Sequence, residues 1–205
     1  MNKIIIATAN KDKLFEIKHI WSDLPDIELD WMGNFLDLES PEETGSTIKE
    51  NAVIKARYVS GLLGIPAAAD DTGLFVEYLA GAPGVYSSRY AGPSASYDDN
   101  VARLLEELEG ISYEKRYAEF RCAVCLSVPG KEDIVTEGIV RGHITDIRRG
   151  NMGFGYDPVF EVAGTGKTFA EMQPEEKNSI SHRYHAFRKM AERIASDPLV
   201  IVPAE

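Results

Sequence analysis

The sequence predicts an α/β protein built on a mixed β-sheet, and three observations carry that expectation. Short β-branched apolar runs alternate with longer stretches of helical period. Side chains suited to helix capping stand ahead of the helical stretches, and a glycine ends one of them. Two long strand-like runs in the second half, 118–128 and 134–144, are joined by Pro129-Gly130-Lys131-Glu132-Asp133, an antiparallel hairpin signal that rules out a purely parallel sheet.

Taken in order, Lys3–Ala7 is an apolar opening strand. Asp12–Leu24 follows as a helix with Leu14, Ile17, Trp21 and Leu24 on one face, and Ile27–Trp31 is a second strand. Thr47-Ile48-Lys49-Glu50 has capping-box spacing and opens a helix to Leu63, stopped at Gly64, whose inward face is Ala52, Ala56, Val59 and Leu63. Pro66–Ala69 is a buried strand expected to end abruptly at Asp70-Asp71-Thr72-Gly73. The stretch Gly81–Tyr97, rich in Gly, Pro, Ser and Tyr, is a candidate lid or contact surface, and Asp98 or Asp99 caps the next helix, which carries Val101, Leu104, Leu105 and Leu108. The closing helix, 181–196, buries Phe187, Met190, Ala191 and Ile194.

The chain has 205 residues, enough for one sizeable core, and a two-lobed single domain fits as well as two small ones. Its formal charge of −11 disfavours a nucleic-acid polymer as partner. A small anion remains compatible, because a local basic pocket with a metal overrides the global field. Met1-Asn2-Lys3 runs straight into a strand pattern without a signal-peptide cleavage region. No apolar run approaches the roughly 20 residues that span a bilayer. The expectation is a cytoplasmic protein with no membrane partner.

Cys122 and Cys125 form a C-x-x-C, but they lie in a strand pattern. A spacing of three puts the thiols on opposite faces, where they neither bridge nor chelate together. They read as buried structural thiols.

Three segments carry candidate chemistry. Thr8-Ala9-Asn10-Lys11-Asp12-Lys13 is a strand-to-helix turn whose amides, with Thr8, Asn10 and Lys13, suit phosphate oxygens; an Asn-capped helix with solvated lysines explains it equally well. The acidic set Glu42, Glu43, Asp70 and Asp71 suits Mg²⁺, which prefers one or two carboxylates plus water and phosphate. Ordinary turn chemistry is the competing account of Asp-Asp-Thr-Gly. Phe154-Gly155-Tyr156-Asp157, with Lys177, His182 and Arg183 downstream, suits a flat ring and several phosphate oxygens, against a merely capped amphipathic helix. Gly164-Thr165-Gly166-Lys167-Thr168 imitates the end of a Walker A sequence, but Glu161 stands where that pattern needs Gly, so it is a loop. The histidines lack a ligand-spaced carboxylate or thiol cluster, so zinc is not expected.

Together and in order, these pieces resemble the inosine triphosphate pyrophosphatase family. The matching residues are 7–13, Glu43-Thr44-Gly45, Glu50-Asn51-Ala52, Lys55-Ala56, 69–74, 81–90, 153–158, Glu176-Lys177-Asn178 and Ser181-His182-Arg183, which span nearly the whole chain. The resemblance implies a single two-lobed domain over 1–205, with a long twisted mixed sheet, flanking helices and a central cleft. It implies hydrolysis of deaminated purine nucleoside triphosphates (ITP, dITP, XTP) to the monophosphate and pyrophosphate, with Mg²⁺ as cofactor, in a homodimer. Carried over by position, Thr8, Ala9, Asn10, Lys11, Asp12 and Lys13 hold the triphosphate. Glu42 and Asp71 hold the metal, Glu42 being taken over Glu43 on alignment alone, and Asp71 also positions the attacking water. Thr72, Phe154, Gly155, Tyr156, Asp157, Lys177, His182 and Arg183 bind the nucleotide. Thr72 stands where the family commonly has Ser, which preserves the hydroxyl.

The mechanism expected is metal-assisted attack of water on the α-phosphorus. Phe154 stacks on the base, so selectivity falls to ring-edge hydrogen bonds, for which His182 and Arg183 are the best donors. Two rivals remain: a pyrophosphatase for other modified nucleotides, and a non-catalytic nucleotide sensor.

Overall fold

The computed structural model describes residues 2–22, 24, 27–35 and 38–203, apart from the Leu199 side chain. Ile4, Ile5 and Ile6 make β1 (Asn2–Ile6) apolar on both faces, and all three are fully buried. Such a strand suits the middle of a parallel set. It pairs in parallel with β2 (Ile27–Trp31) on one side and β3 (Ala67–Val76) on the other. Among the described residues the sheet runs β2-β1-β3-β5-β6-β7, with β5 at Tyr117–Ser127, β6 at Ile134–Ile144 and β7 at Phe160–Val162. The short β4 (Pro83–Gly84) pairs antiparallel with β3, and β7 pairs antiparallel with β6, so the sheet is mixed as expected.

Helix α1 (Lys11–Ile20) is shorter than its apolar period suggests. Leu24 lies outside it in a turn, its N–H donating to Trp21 O. Pro25 follows in the sequence, which disfavours a helical residue before it. Helix α2 (Ile48–Leu63) has the predicted ends, with a Thr47–Glu50 capping box and Gly64 at φ 66°. Helix α3 (Tyr97–Glu107) is capped by Ser96, and Asp98 and Asp99 lie inside its first turn. The stronger local signal was therefore the Ser96–Asp99 reciprocal box. Helix α4 (Pro174–Ile180) precedes α5 (His182–Ser196).

The strand β3 departs most from expectation. It does not stop at Asp70 but continues to Val76, and Leu74 and Phe75 pair with β4. The Gly81–Tyr97 stretch is tied down along its length. Ser87 Oγ accepts the Leu74 N–H at 2.9 Å and donates to Gly84 O, while Asn100 bridges Ala91 and Ser88.

Two compact units partition the chain. The first comprises Met1–Asp71, Cys122–Gly138 and Arg183–Glu205; its core gathers Ile4, Ile6, Ile17, Trp21, Phe187 and Met190. Trp21 donates its indole N–H to Phe187 O at 2.9 Å, as a buried indole must find an acceptor. The second comprises Thr72–Arg121 and Ile139–His182, with Leu74, Leu104, Phe160 and Phe169 in its core. Among the described residues no helix is long and apolar enough to cross a membrane.

Both cysteines are buried free thiols. Cys122 lies 3.9 Å from Asp70, whereas Cys125 is pushed up to about 12 by burial and then by the Asp133 charge. Their different neighbours match the opposite-face reading. Elemental analysis is expected to find the same zinc content in the native protein and in Cys122→Ser with Cys125→Ser. One zinc per chain, lost in the variant, would contradict it.

Candidate active site

Consecutive residues of a strand face opposite ways, and β3 uses that alternation on two carboxylates. Asp70 takes partners from α1 and α5: Lys13 Nζ at 3.1 Å, and Arg183 Nη2 and Nε at 3.1 and 3.3 Å. Asp71 takes partners from α2: Lys55 Nζ on Oδ1 at 3.1 Å and Asn51 Nδ2 on Oδ2 at 3.3 Å. The acidic pair is thus neither a turn nor a single two-carboxylate spot. The strand continues because each buried charge has its own cations or donors.

Asp70 is buried, and burial alone would raise its pKa. The charges of Lys13, Arg183 and Lys55 outweigh that and hold it far below the usual carboxylate range. Arg183 is also buried and reaches a second carboxylate, Glu16, through Nη1. Burial disfavours its charge, but Asp70 and Glu16 reverse the balance and raise its pKa. Lys13, Glu16, Asp70 and Arg183 are therefore one balanced network of two cations and two anions.

The turn before α1 serves partly as a cap. Asn10 Oδ1 accepts the N–H groups of Asp12 and Lys13 at 2.9 and 3.2 Å, which takes up two of the amides that phosphate binding would draw on. Thr8 is buried; its hydroxyl oxygen accepts the Asn10 N–H, and its carbonyl accepts the Trp31 indole at 2.7 Å. Ala9, Lys11 and Asp12 are exposed. Lys13 is thus the cation this turn directs inward.

The opposite face of β3 holds the other cluster. Lys55 joins Asp71 to Glu43, its Nζ lying 2.8 Å from Glu43 Oε1. Burial would lower the Lys55 pKa, but Asp71, Glu43 and Asp70 outweigh it and raise it. Asn51 is wholly buried, and its Oδ1 accepts the Gly45 N–H at 2.8 Å. Glu42 is exposed, whereas Glu43 is half-buried against Lys55. The donor set fits a magnesium ion. Its carboxylates come from two separate parts of the chain, they already share one cation in the Lys55 ammonium, and hard oxygens in that number are what Mg²⁺ accepts.

In the second unit, Asp157 organises the aromatic turn. Its Oδ2 accepts the Phe154 N–H at 2.9 Å and pairs with Lys177 Nζ at 2.5 Å. Gly153 has φ +73°, and a Cβ there would lie 2.1 Å from Asp157 Oδ2, so the turn requires glycine. Gly155 is also left-handed, at φ +63°. Lys177 sits 4.8 Å from the centroid of the half-buried Phe154 ring, and Tyr97 meets that ring at 5.8 Å. Tyr156 is buried and donates its hydroxyl to Ser87 O. Thr72 is half-buried. His182 is buried and stacks on Phe120, with centroids 4.6 Å apart and planes 13° from parallel.

The neighbours His182 and Arg183, read in the sequence as one donor pair, therefore have separate surroundings: an aromatic stack and a carboxylate network. The sequence reading matched Asn51 and Lys55 to the family without giving them a role, and it passed over Glu16. The signal was present for two of them, since Asn51 and Lys55 are one turn apart beside the inward Ala52 and Ala56.

Residues 4–193 match the Ham1 family, and the chain belongs to it. It is 48% identical over 196 residues to the dITP/XTP pyrophosphatase of Caldanaerobacter subterraneus subsp. tengcongensis, covering 95% of this chain and 96% of that protein. To the dITP/XTP pyrophosphatase of Bacillus subtilis it is 44% identical over 191 residues, 93% and 96% of the two chains. Among solved structures, a HAM1 protein from Coxiella burnetii superimposes with a TM-score of 0.87 at 39% identity, covering 96% of this chain and all of that one. The Staphylococcus aureus Ham1 protein gives 0.85 at 38% identity, with the same coverage.

Proposed function

We propose that this chain is a nucleoside-triphosphate pyrophosphatase that hydrolyses deaminated purine nucleotides such as ITP, dITP and XTP to the monophosphate and pyrophosphate. The observation that carries the reading is the Asp71 carboxylate, buried in a strand, with both oxygens held from α2 and Glu43 on the same ammonium. The names of the curated relatives point the same way.

Asp71 orients a water molecule and takes its proton as the oxygen attacks the α-phosphorus. The bond from that phosphorus to the bridging oxygen breaks, and pyrophosphate departs. Asp71 with the acidic segment Glu42–Glu43 would hold Mg²⁺, which would supply neutralisation of the charge that grows on the leaving group. Lys55 keeps the two carboxylates together, and Lys13, with the turn 8–13, steadies phosphate oxygens. In the second unit Phe154 offers its face to the base, while Thr72, Lys177 and His182 supply donors around the nucleotide.

The reading includes a homodimer and a cytoplasmic location. Pyrophosphate release from a panel of triphosphates tests it. ITP and XTP are expected to be cleaved well above the standard nucleotides. Preference for a modified pyrimidine would favour the related-enzyme alternative, and binding without turnover would leave a sensor.

A further inference from the structure

Asn51, on α2, uses both ends of its carboxamide. Its Nδ2 donates to Asp71 Oδ2 at 3.3 Å, and its Oδ1 accepts the Gly45 N–H at 2.8 Å. The side chain is wholly buried, where an amide placed without partners would be costly. Its neighbour one turn along α2, Lys55, repeats the link by ion pairs, to Asp71 at 3.1 Å and to Glu43 at 2.8 Å. Two adjacent helix positions thus tie the same two chain segments together, one through backbone and one through charge.

We infer that Asn51 is a positioning residue that sets the spacing between Asp71 and the acidic segment Glu42–Glu43, so that both present carboxylates to one divalent cation. Lys55 alone cannot fix that spacing, because an ammonium on a four-carbon stem is a mobile point charge, whereas the carboxamide is planar and bound at both ends. Gly45 completes the device. A Cβ there would lie 2.6 Å from Asn51 Oδ1 and 2.9 Å from the Asn51 backbone nitrogen, so only glycine brings the segment this close. The inference rests on the proposed function for the identity of the metal, but not for the geometry.

The test uses Mn²⁺ as probe, with binding followed by titration calorimetry and electron paramagnetic resonance, beside kcat for ITP. Asn51→Leu keeps the branched shape with a somewhat larger side chain and removes both hydrogen bonds. It is expected to weaken Mn²⁺ binding and lower kcat, each by ~10–100-fold, the range for partners that orient metal ligands. Inosine monophosphate affinity without metal should stay close to native. Gly45→Ala, which leaves Asn51, Lys55 and both carboxylates in the sequence, is expected to shift both readouts the same way by a smaller factor. It covers the case in which Asn51→Leu does not fold. Native Mn²⁺ affinity and native kcat in either folded variant would overturn the inference, as would a native protein that binds no Mn²⁺. If the native protein binds Mn²⁺ but releases no pyrophosphate from any triphosphate, the proposed function fails while the metal readout still decides the role of Asn51.

Discussion

Asp71→Asn is expected to keep the fold and nucleotide binding and to lose ~10²–10⁴-fold in kcat, the usual contribution of a general base. Asn preserves the shape of the side chain and can still accept from Lys55. The Lys55 ammonium is not left without an anion, because Glu43 remains 2.8 Å away. What disappears is one charge, the capacity to take a proton and, with the oxygen kept toward Lys55, the hydrogen bond accepted from Asn51 Nδ2. The substitution therefore separates chemistry from architecture better than Asp70→Asn, which strips a fully buried anion from Lys13 and Arg183. Removing one partner of such a buried network costs about 3–5 kcal/mol of stability. The measurement is kcat for ITP at saturating Mg²⁺, with the melting temperature and inosine monophosphate affinity as controls. Near-native turnover would reduce Asp71 to a structural carboxylate.

The parts of the fold legible in the sequence are those whose signals are local. The ends of α2 follow from Thr47, Glu50 and Gly64 within the helix itself. What sequence reasoning misread is β3, because Asp-Asp-Thr-Gly is turn chemistry unless something distant neutralises it. The neutralising groups are distant: Arg183 lies 113 positions from Asp70, and Lys55 lies 16 from Asp71. The same non-local cause divides His182 from Arg183. Adjacent at the start of α5, they suggested a common ligand edge, but one stacks on Phe120 and the other reaches two carboxylates. The alternation rule that correctly placed Cys122 and Cys125 apart would also have separated Asp70 from Asp71, had the strand been carried through them. Asn51 and Lys55 illustrate a different gap. Polar residues beside an apolar helix stripe can announce a buried site, but only the fold names the carboxylate they serve.

The second large effect concerns the base. Native protein is expected to favour ITP or XTP over ATP by at least ~10² in kcat/KM, below the ~10⁴–10⁵ that hydrogen-bonding sites can reach. A 6-oxo purine presents an acceptor at O6, which N–H donors satisfy; a 6-amino purine sets a donor against those donors. The proposed stack on the Phe154 face is blind to that difference. His182 is the better probe of the donor edge. Its ring plane is fixed by the Phe120 stack, and replacing it leaves the Asp70–Arg183–Glu16 network intact. Arg183→Ala would mix selectivity with the ~3–5 kcal/mol cost of stranding buried carboxylates. His182→Leu, which keeps bulk but offers no donor, is expected to shrink the ITP-to-ATP ratio chiefly by lowering kcat/KM for ITP. His182→Gln, which restores an N–H donor, should recover part of it. Initial rates of pyrophosphate release at substrate concentrations below KM give the ratio directly. Equal values for ITP and ATP in the native protein would sink this account of selectivity, and an unchanged ratio in His182→Leu would move the discriminating donor elsewhere.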